Sequence, residues 1–385
     1  MIPYGRQDIS EEDVSAVASV LRSDFLTQGP VVPAFENAVA GYCGAGHAVA
    51  VNSATSGLHI ACMALGVSAG DLVWTTPNTF VASANCARYC GADVDFVDID
   101  PVTLNISTER LAEKLDAAAK ANRLPKVVIP VHFSGQSADM RGISELARKF
   151  NFKVIEDASH AIGGRYEGLP VGSCVYSDIA IFSLHPVKII TSGEGGVALT
   201  NDAALAARMK LLRSHGTTRE AAEMGAEPEG PWYYEMVELG LNYRLTDIQA
   251  ALGLSQMRRL DSFVTRRHQL ADRYDDMLRD FPVVCPARAK PAHSALHLYV
   301  VQVDKKRTNL DRRFVFEKLR EYGIGVNVHY IPVHLQPYYR ALGFKRGDFP
   351  ASEAYYDRAI TIPIYSAMTD QQQDSVVEAL RRTFA

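Results

Sequence analysis

The stretch Asp178-Ile-Ala-Ile-Phe-Ser-Leu-His-Pro-Val-Lys-Ile-Ile-Thr-Ser-Gly-Glu-Gly-Gly-Val197 carries one lysine, Lys188, five residues after Ser183 and just ahead of a glycine-rich turn. Ile179 to Phe182 reads as a short buried strand and Val197 to Thr200 as another. Lys188 then lies on the irregular connection between them, where reactive groups are commonly displayed. A lysine that forms a Schiff base needs such a place. Desolvation or a cationic neighbour must bring its pKa from ~10.4 towards neutrality before the free amine can attack a carbonyl. Alone, the segment equally describes a solvated lysine beside a Gly-Glu-Gly-Gly turn, so the reading rests on what lies upstream.

There, Phe152-Lys-Val-Ile-Glu-Asp-Ala-Ser-His160 is an apolar strand ending in Asp157, with His160 three residues on. Open α/β sheets hold ligands at the carboxyl ends of their strands. Pyridoxal phosphate needs a carboxylate beside its ring nitrogen, because a protonated nitrogen makes the ring an electron sink. Asp157 and Lys188, at neighbouring strand ends, supply both groups. The competing reading makes Asp157 the cap of a helix starting at Ala158.

A chain of 385 residues, 47% hydrophobic and 22% charged, is long enough for two domains and a substantial core. A net charge of −4 and a pI near 6.3 argue against nucleic-acid or anionic-membrane partners, which favour a basic patch. The first residues lack a charged segment followed by an apolar run, and no stretch of about 18 uncharged apolar residues follows, so a cytoplasmic protein with no membrane partner is expected. The six cysteines form no C-x-x-C pair. Cys86 and Cys90 can share a helix face, but without His or acid partners they read as buried thiols, and neither metal nor disulfide is expected.

In chain order, Ser10 caps a helix with Val14, Val17, Val20 and Leu21 at helical spacing, which stops near Asp24, and Phe25 to Pro30 is a turn. Ala48 to Asn52 is a strand, and Ser53-Ala-Thr-Ser-Gly57 opens a helix. Small residues at a helix start let backbone N–H groups close on an anion, so Ala54 and Thr55, with the hydroxyl of Ser183, form a candidate phosphate site; a routine N-cap is the plainer reading. Leu72 to Thr75, Asp93 to Ile99, Lys126 to Val131 and Lys153 to Asp157 are further strands. Intervening helical patterns, such as Ser107 to Ala121 and Met140 to Phe150, are long enough for crossovers and imply a mainly parallel sheet. His132 follows the strand Val127 to Val131 and could line the pocket, although a lone histidine there is more often a satisfied polar group behind it. Thr246 or Asp247 caps an apolar helix that runs to Gln256. From Leu260 a long helix leads to strands at His297 to Val303 and Gly325 to His329 with the helix Asp311 to Tyr322 between them, a separate α+β lobe. The expected division is a large domain over residues 1–255, including the N-terminal segment, and a small one over 256–385.

Asp157-Ala-Ser-His160, Phe182-Ser-Leu-His-Pro-Val-Lys188 and Gly193-Glu-Gly-Gly196 resemble the signature of the DegT/DnrJ/EryC1/StrS sugar aminotransferases. The resemblance covers nearly the whole chain. It implies an α/β protein of the pyridoxal-phosphate-dependent fold type I, like aspartate aminotransferase, with a large domain around a mainly parallel sheet and a smaller C-terminal α+β domain. It implies that Lys188 and Asp157 are catalytic and that the aromatic of Phe80 lies against the cofactor ring; Phe80 as a plug under a helix is the alternative. His160 takes the place of a glutamine that hydrogen-bonds the cofactor's phenolic oxygen. Asn242 would reach the phosphate held in the other subunit, making a homodimer with shared active sites. Tyr4, Leu26 and Thr27 would contact the nucleotide-sugar, and Asn327, His329 and Tyr330 would form a lid over it. His185 receives no chemistry from the resemblance, and Arg244 is as readily a capping or interfacial residue as an anion ligand.

Ile2 to Gln7, Asp24 to Pro30 and His329 to Tyr339 are most similar to family members that serve pseudaminic acid synthesis. The implied reaction moves an amino group from L-glutamate to C4 of a UDP-linked 4-keto-6-deoxy-N-acetylhexosamine. The alternatives are an aminotransferase for another nucleotide-linked 3- or 4-ketosugar, or a non-catalytic regulatory protein that keeps the fold. Related dehydratases have histidine at the position of Lys188, which disfavours that chemistry.

Overall fold

The computed structural model describes residues 1–288 and 290–385. Seven strands form the central sheet: β1 (His47–Val51), β2 (Leu72–Thr75), β3 (Asp93–Phe96), β4 (Val127–Ile129), β5 (Lys153–Asp157), β6 (Ile179–Ser183) and β7 (Gly196–Thr200). Their spatial order is β1-β7-β6-β5-β4-β2-β3. The pairs from β3 through β6 are parallel, and β7 is antiparallel to both neighbours.

Strand alternation explains the layering. In β6, Ile179 and Ile181 enter a core with Leu58 and Ile155, whereas Ala180 and Phe182 enter another with Phe35 and Val197. Every β6 residue is buried, as expected of a strand covered on both faces. The covering helices are α1 (Glu11–Leu21), α2 (Val31–Cys43), α3 (Ala54–Ala64), α4 (Ala82–Tyr89), α5 (Thr108–Lys120), α6 (Met140–Phe150), α7 (Ala203–Arg213) and α8 (Asp247–Met257). Their starts follow local chemistry: Ser10 with Asp13 and Thr246 with Gln249 form capping boxes, and Ser53 caps α3.

α9 (Leu260–Met277) leads into a second lobe, where β8 (Val283–Val284), β9 (Tyr299–Val303) and β10 (Ala359–Ile362) form an antiparallel sheet. α10 (Arg312–Glu321), α11 (Pro337–Ala341), α12 (Pro350–Tyr356) and α13 (Asp370–Phe384) complete the chain. The core of this lobe joins Tyr274, Val301, Leu319, Ile360 and Val376. Two segments cross between the lobes. Ile2 pairs with Ile324, and Val333 and Tyr339 return to the core around β2 and α4.

Three expectations change. Gly325 to His329 is not a continuous strand: Gly325 bonds back to Ile2 at 2.7 Å, whereas Asn327 pairs with Thr361, so the segment switches partners and no ladder forms. β3 ends at Phe96, and Ile99 only bridges to Ile106. The apolar stripe of α1 is only partly buried within the chain: Val20 is 6% exposed, but Val14 and Leu21 are 51% and 56% exposed. α1 docks through Val20 and through buried Asp13, which accepts hydrogen bonds from Gln256 and Arg259, each at 2.5 Å. Among the described residues no helix is long and apolar enough to cross a membrane, and no group of three or more His, Cys, Asp or Glu residues is placed to hold a metal ion.

Candidate active site

The carboxyl ends of β5 and β6 open into a cavity of about 1010 Å³ between the lobes. Asp157 is the last residue of β5, and Ala158 continues as a turn, so no helix exists there for Asp157 to cap. Its Oδ2 accepts the Ser83 hydroxyl at 2.5 Å and its Oδ1 accepts the Ser159 N–H at 3.1 Å. Lys188 lines the same cavity, on the loop joining β6 to β7. That loop is fixed at both ends by Leu184 N–H to Gly195 carbonyl at 2.9 Å and Ser192 N–H to Leu184 carbonyl at 3.0 Å. Burial lowers the Lys188 amine to about 8, and the charge of Asp157 opposes that lowering. Near pH 8 about half of such a lysine is a free, nucleophilic amine.

The start of α3 forms one wall. Ser53 accepts the Ser56 N–H at 3.1 Å, leaving the first helical N–H groups, those of Ala54 and Thr55, aimed outward as helix starts require. Gly196 on β7 makes this approach possible, because a Cβ there would lie 2.7 Å from the Ala54 nitrogen. Ser53, Ala54, Thr55, Ser56 and Ser183 all line the cavity at this end, a neutral set of N–H and O–H donors suited to an anion.

Three histidines form the opposite wall. His160 accepts the Ser134 N–H on Nδ1 at 3.2 Å, so its proton resides on Nε2, which lies 3.0 Å from the Tyr330 hydroxyl. Burial, then the charge of Lys188, holds its pKa well below 6.5, and the ring is neutral. The His297 ring centroid lies 4.5 Å from that of His160, and its buried Nδ1 has no partner among the described residues. His329 is pushed down to about 3 by burial and by Lys188. Its Nδ1 lies 2.7 Å from the Thr361 hydroxyl, its Nε2 lies 3.4 Å from the Asn327 amide, and Tyr4 packs against its ring at 5.5 Å between centroids. Phe80 is 59% exposed and projects beside Tyr330, with ring centroids 6.2 Å apart, so it plugs no core.

Of the residues singled out from the sequence, Tyr4, Ala54, Thr55, Phe80, Asp157, His160, Ser183, Lys188, Asn327, His329 and Tyr330 share this cavity. Leu26, Thr27 and Asn242 do not line it in their own chain. The turn holding Leu26 and Thr27 is exposed and tied to the start of α8, with Thr27 bridged to Thr246 and the Leu26 carbonyl accepting the Asp247 N–H at 3.0 Å. Asn242 is exposed and pairs through its backbone with Ser214, although its carbonyl comes within 3.5 Å of the amide of Asn52, which does line the cavity. Arg244 pairs with Val51, and His185 sits 3.9 Å from the Glu194 carboxylate at the cavity edge. His132 is fully buried and bonded to Glu156 at 2.7 Å, behind the cavity.

Sequence reading missed Ser83, Ser159, Gln249 and His297. Ser83 stands four residues after Thr79, and two hydroxyl residues at that spacing around the start of a helix were the available sign of a polar pair. His297 had no such sign.

Residues 7–381 match the model of the DegT/DnrJ/EryC1/StrS aminotransferase family. The spore coat polysaccharide biosynthesis protein SpsC of Bacillus subtilis is 40% identical over 383 residues, covering 99% of this chain and 96% of that protein. Among solved structures, Helicobacter pylori PseC, an aminotransferase involved in the biosynthesis of pseudoaminic acid, superimposes with a TM-score of 0.91 at 30% identity, covering 100% of this chain and 99% of that one. A putative sugar aminotransferase of Streptococcus pneumoniae, Spr1654 in its PLP form, gives 0.88 at 28% identity, covering 99% of this chain and 98% of that one.

Proposed function

The chain belongs to the DegT/DnrJ/EryC1/StrS aminotransferase family, and on that footing we propose that it transfers an amino group from L-glutamate to C4 of UDP-2-acetamido-2,6-dideoxy-β-L-arabino-hex-4-ulose, a step in pseudaminic acid synthesis. This is a sugar aminotransferase of fold type I that depends on pyridoxal phosphate. The residues present fit that cofactor. The backbone approach opened by Gly196 and the hydroxyls around the start of α3 suit its phosphate, Asp157 suits its ring nitrogen, and Lys188 suits its aldehyde. When bound, pyridoxal phosphate supplies the carbonyl that takes up the donor's amine and the ring that accepts the electrons released at the donor's α-carbon.

In this reading the chain's own groups divide the remaining work. Lys188, with its amine lowered to about 8, is the nucleophile at rest and the base that moves a proton between substrate carbon and cofactor carbon. Asp157 holds the proton on the ring nitrogen. His160, neutral and carrying its proton on Nε2, donates to the phenolic oxygen. Phe80, exposed on the cavity wall, would pack against the ring, and Tyr4, Asn327, His329 and Tyr330 would enclose the sugar. We also assign residues 1–255 to the cofactor domain and 256–385 to the smaller one, and place the enzyme in the cytoplasm, where its six unpaired cysteines are at home.

A second copy completes the site in this reading. Leu26, Thr27 and Asn242 do not line the cavity of their own chain, and the exposed apolar residues Val14, Leu21, Phe25 and Leu26 gather on and beside α1, as an interface core would. The observation that carries the substrate choice is the likeness to the pseudaminic acid enzyme over the whole of both chains. The higher identity to a spore coat polysaccharide protein favours a second reading, another nucleotide-linked ketosugar as acceptor.

Presenting the purified enzyme with L-glutamate and UDP 4-ketosugars of the gluco and the L-arabino series separates these. Turnover favouring the L-arabino-4-ulose is expected. A preference for the gluco series, or for a sugar with another nucleotide, overturns the assignment to pseudaminic acid.

A further inference from the structure

We propose that Ser83 is the positioning residue for Asp157, fixing the carboxylate that faces the cofactor's ring nitrogen; this rests on the role given to Asp157 above. The donors that reach Asp157 among the described residues are both neutral, a backbone N–H and a hydroxyl. The N–H of Ser159 belongs to the turn that Asp157 itself starts, so it moves with the carboxylate and cannot anchor it. Ser83 is different. It comes from α4, seventy-four residues earlier in the chain, is completely buried, and meets Oδ2 at 2.5 Å.

The direction of these bonds is settled by counting protons. A serine hydroxyl has one, and the carboxylate can only accept it. The Thr79 hydroxyl, 2.7 Å from the Ser83 oxygen, therefore donates to Ser83, giving a string that runs Thr79 to Ser83 to Asp157. A buried serine in a helix commonly returns its hydroxyl to its own backbone. Ser83 has that option in the Phe80 carbonyl, but at 3.4 Å it is the longer contact by far. The backbone under the string is held as well: Thr79 N–H bonds the Pro77 carbonyl at 3.0 Å, the Cys86 thiol reaches the Ser83 carbonyl at 3.3 Å, and the Pro77 carbonyl also accepts the Val333 N–H at 2.9 Å. In a water-poor site each bond of such a string polarises the next. Without Ser83, Oδ2 keeps no donor from outside its own turn and the carboxylate is free to rotate.

The test is Ser83→Ala in the holoenzyme, reconstituted with pyridoxal phosphate labelled with nitrogen-15 in its ring, with Asp157→Asn prepared alongside. Removing one hydroxyl from a buried site does not demand a larger space, and thermal unfolding checks that the variant is folded. The nitrogen resonance of Ser83→Ala is expected to move from the protonated towards the unprotonated position, in the same sense as Asp157→Asn but less far. kcat is expected to fall roughly ten- to hundred-fold with KM for the sugar little changed, as for a misplaced catalytic group. If Asp157→Asn shifts the resonance and Ser83→Ala leaves it at the wild-type position, the proposal is overturned while the reading of Asp157 stands. If neither variant shifts it, Asp157 is not the partner of the ring nitrogen, and both readings fall together.

Discussion

Nε2 of His160 lies 3.0 Å from the hydroxyl of Tyr330, a contact spanning 170 residues that joins the end of β5 to the segment leading back from the small lobe. Because Ser134 occupies Nδ1, the imidazole presents a donor, never an acceptor, to whatever sits beside it. His160→Gln keeps a donor in that place and His160→Phe does not. We expect cofactor affinity to change little in the first and to fall roughly ten-fold or more in the second, in line with ~1–3 kcal/mol for a buried polar group left unpaired. Fluorescence titration of the apoenzyme with pyridoxal phosphate measures both; equal losses would remove His160 from the cofactor's hydrogen-bond partners.

Lys188→Met should abolish turnover and leave the unfolding temperature unchanged or higher, since a buried ammonium contributes little to packing and costs desolvation. The wild-type lysine also sets a pH profile. Only the neutral amine is nucleophilic, so covalent capture of pyridoxal phosphate by the apoenzyme, followed by visible absorbance, should climb with pH and level off above about 8. The charge of Asp157 raises the Lys188 pKa, and Asp157→Asn should move the climb to lower pH. A shift towards higher pH would contradict the electrostatic coupling of the two residues.

Gly196→Ala tests the backbone approach beneath the phosphate site. The added Cβ would press on backbone atoms of Ser53 and Ala54, at 2.7 Å, which cannot swing aside as a side chain can. Overpacking of this kind costs about 1–3 kcal/mol, and here it also displaces the N–H groups meant for the phosphate. Gly193→Ala is the control, because a Cβ there meets nothing within 4 Å although its φ of +83° is strained. Denaturant unfolding with and without cofactor should show Gly196→Ala losing more cofactor-dependent stability than Gly193→Ala. The reverse order would place the phosphate elsewhere.

An Asn242→Ala subunit and a Lys188→Ala subunit, each impaired alone, should complement when mixed. One composite site of the heterodimer then has an intact lysine from one chain and an intact asparagine from the other, and activity recovers towards half of the wild-type value. Cross-linking establishes that subunits have exchanged. Confirmed heterodimers with no recovery would mean that Asn242 acts within its own chain or not at all.

What was legible in the sequence is what neighbouring residues decide together. The caps at Ser10, Ser53 and Thr246, the buried alternation of Ile179 to Ser183 and the placement of Lys188 on a loop all follow from a few adjacent side chains. The rest depends on partners far away in the chain. The bond from Ser83 to Asp157 has no local signature, and β10 is a strand because it pairs with β9, more than fifty residues earlier in the chain. Gly325 to His329 looked like a strand because its side chains suit one, yet its backbone divides between Ile2 and Thr361. The apolar spacing of α1 is true helix spacing, but of that stripe only Val20 is buried, and the docking is shared with buried Asp13, whose partners lie far along the chain.

The ring of contacts that closes the Lys188 loop sets where this chain can tolerate changes of length. The neighbouring pairs β2–β3 and β4–β5 are joined through helices, α4 and α6, whose outer turns can gain or lose residues without disturbing the cavity floor. Between Leu184 and Gly195 there is no such slack, because β6 and β7 are adjacent and antiparallel and their connection bonds back on itself. An insertion or deletion there re-aims the lysine. Tolerated insertions therefore belong on the rim, in the exposed turn before α2 and in the hairpin that pairs Thr217 with Met236. New sugar preferences can then arise by rebuilding the rim while the chemistry below it stays in register.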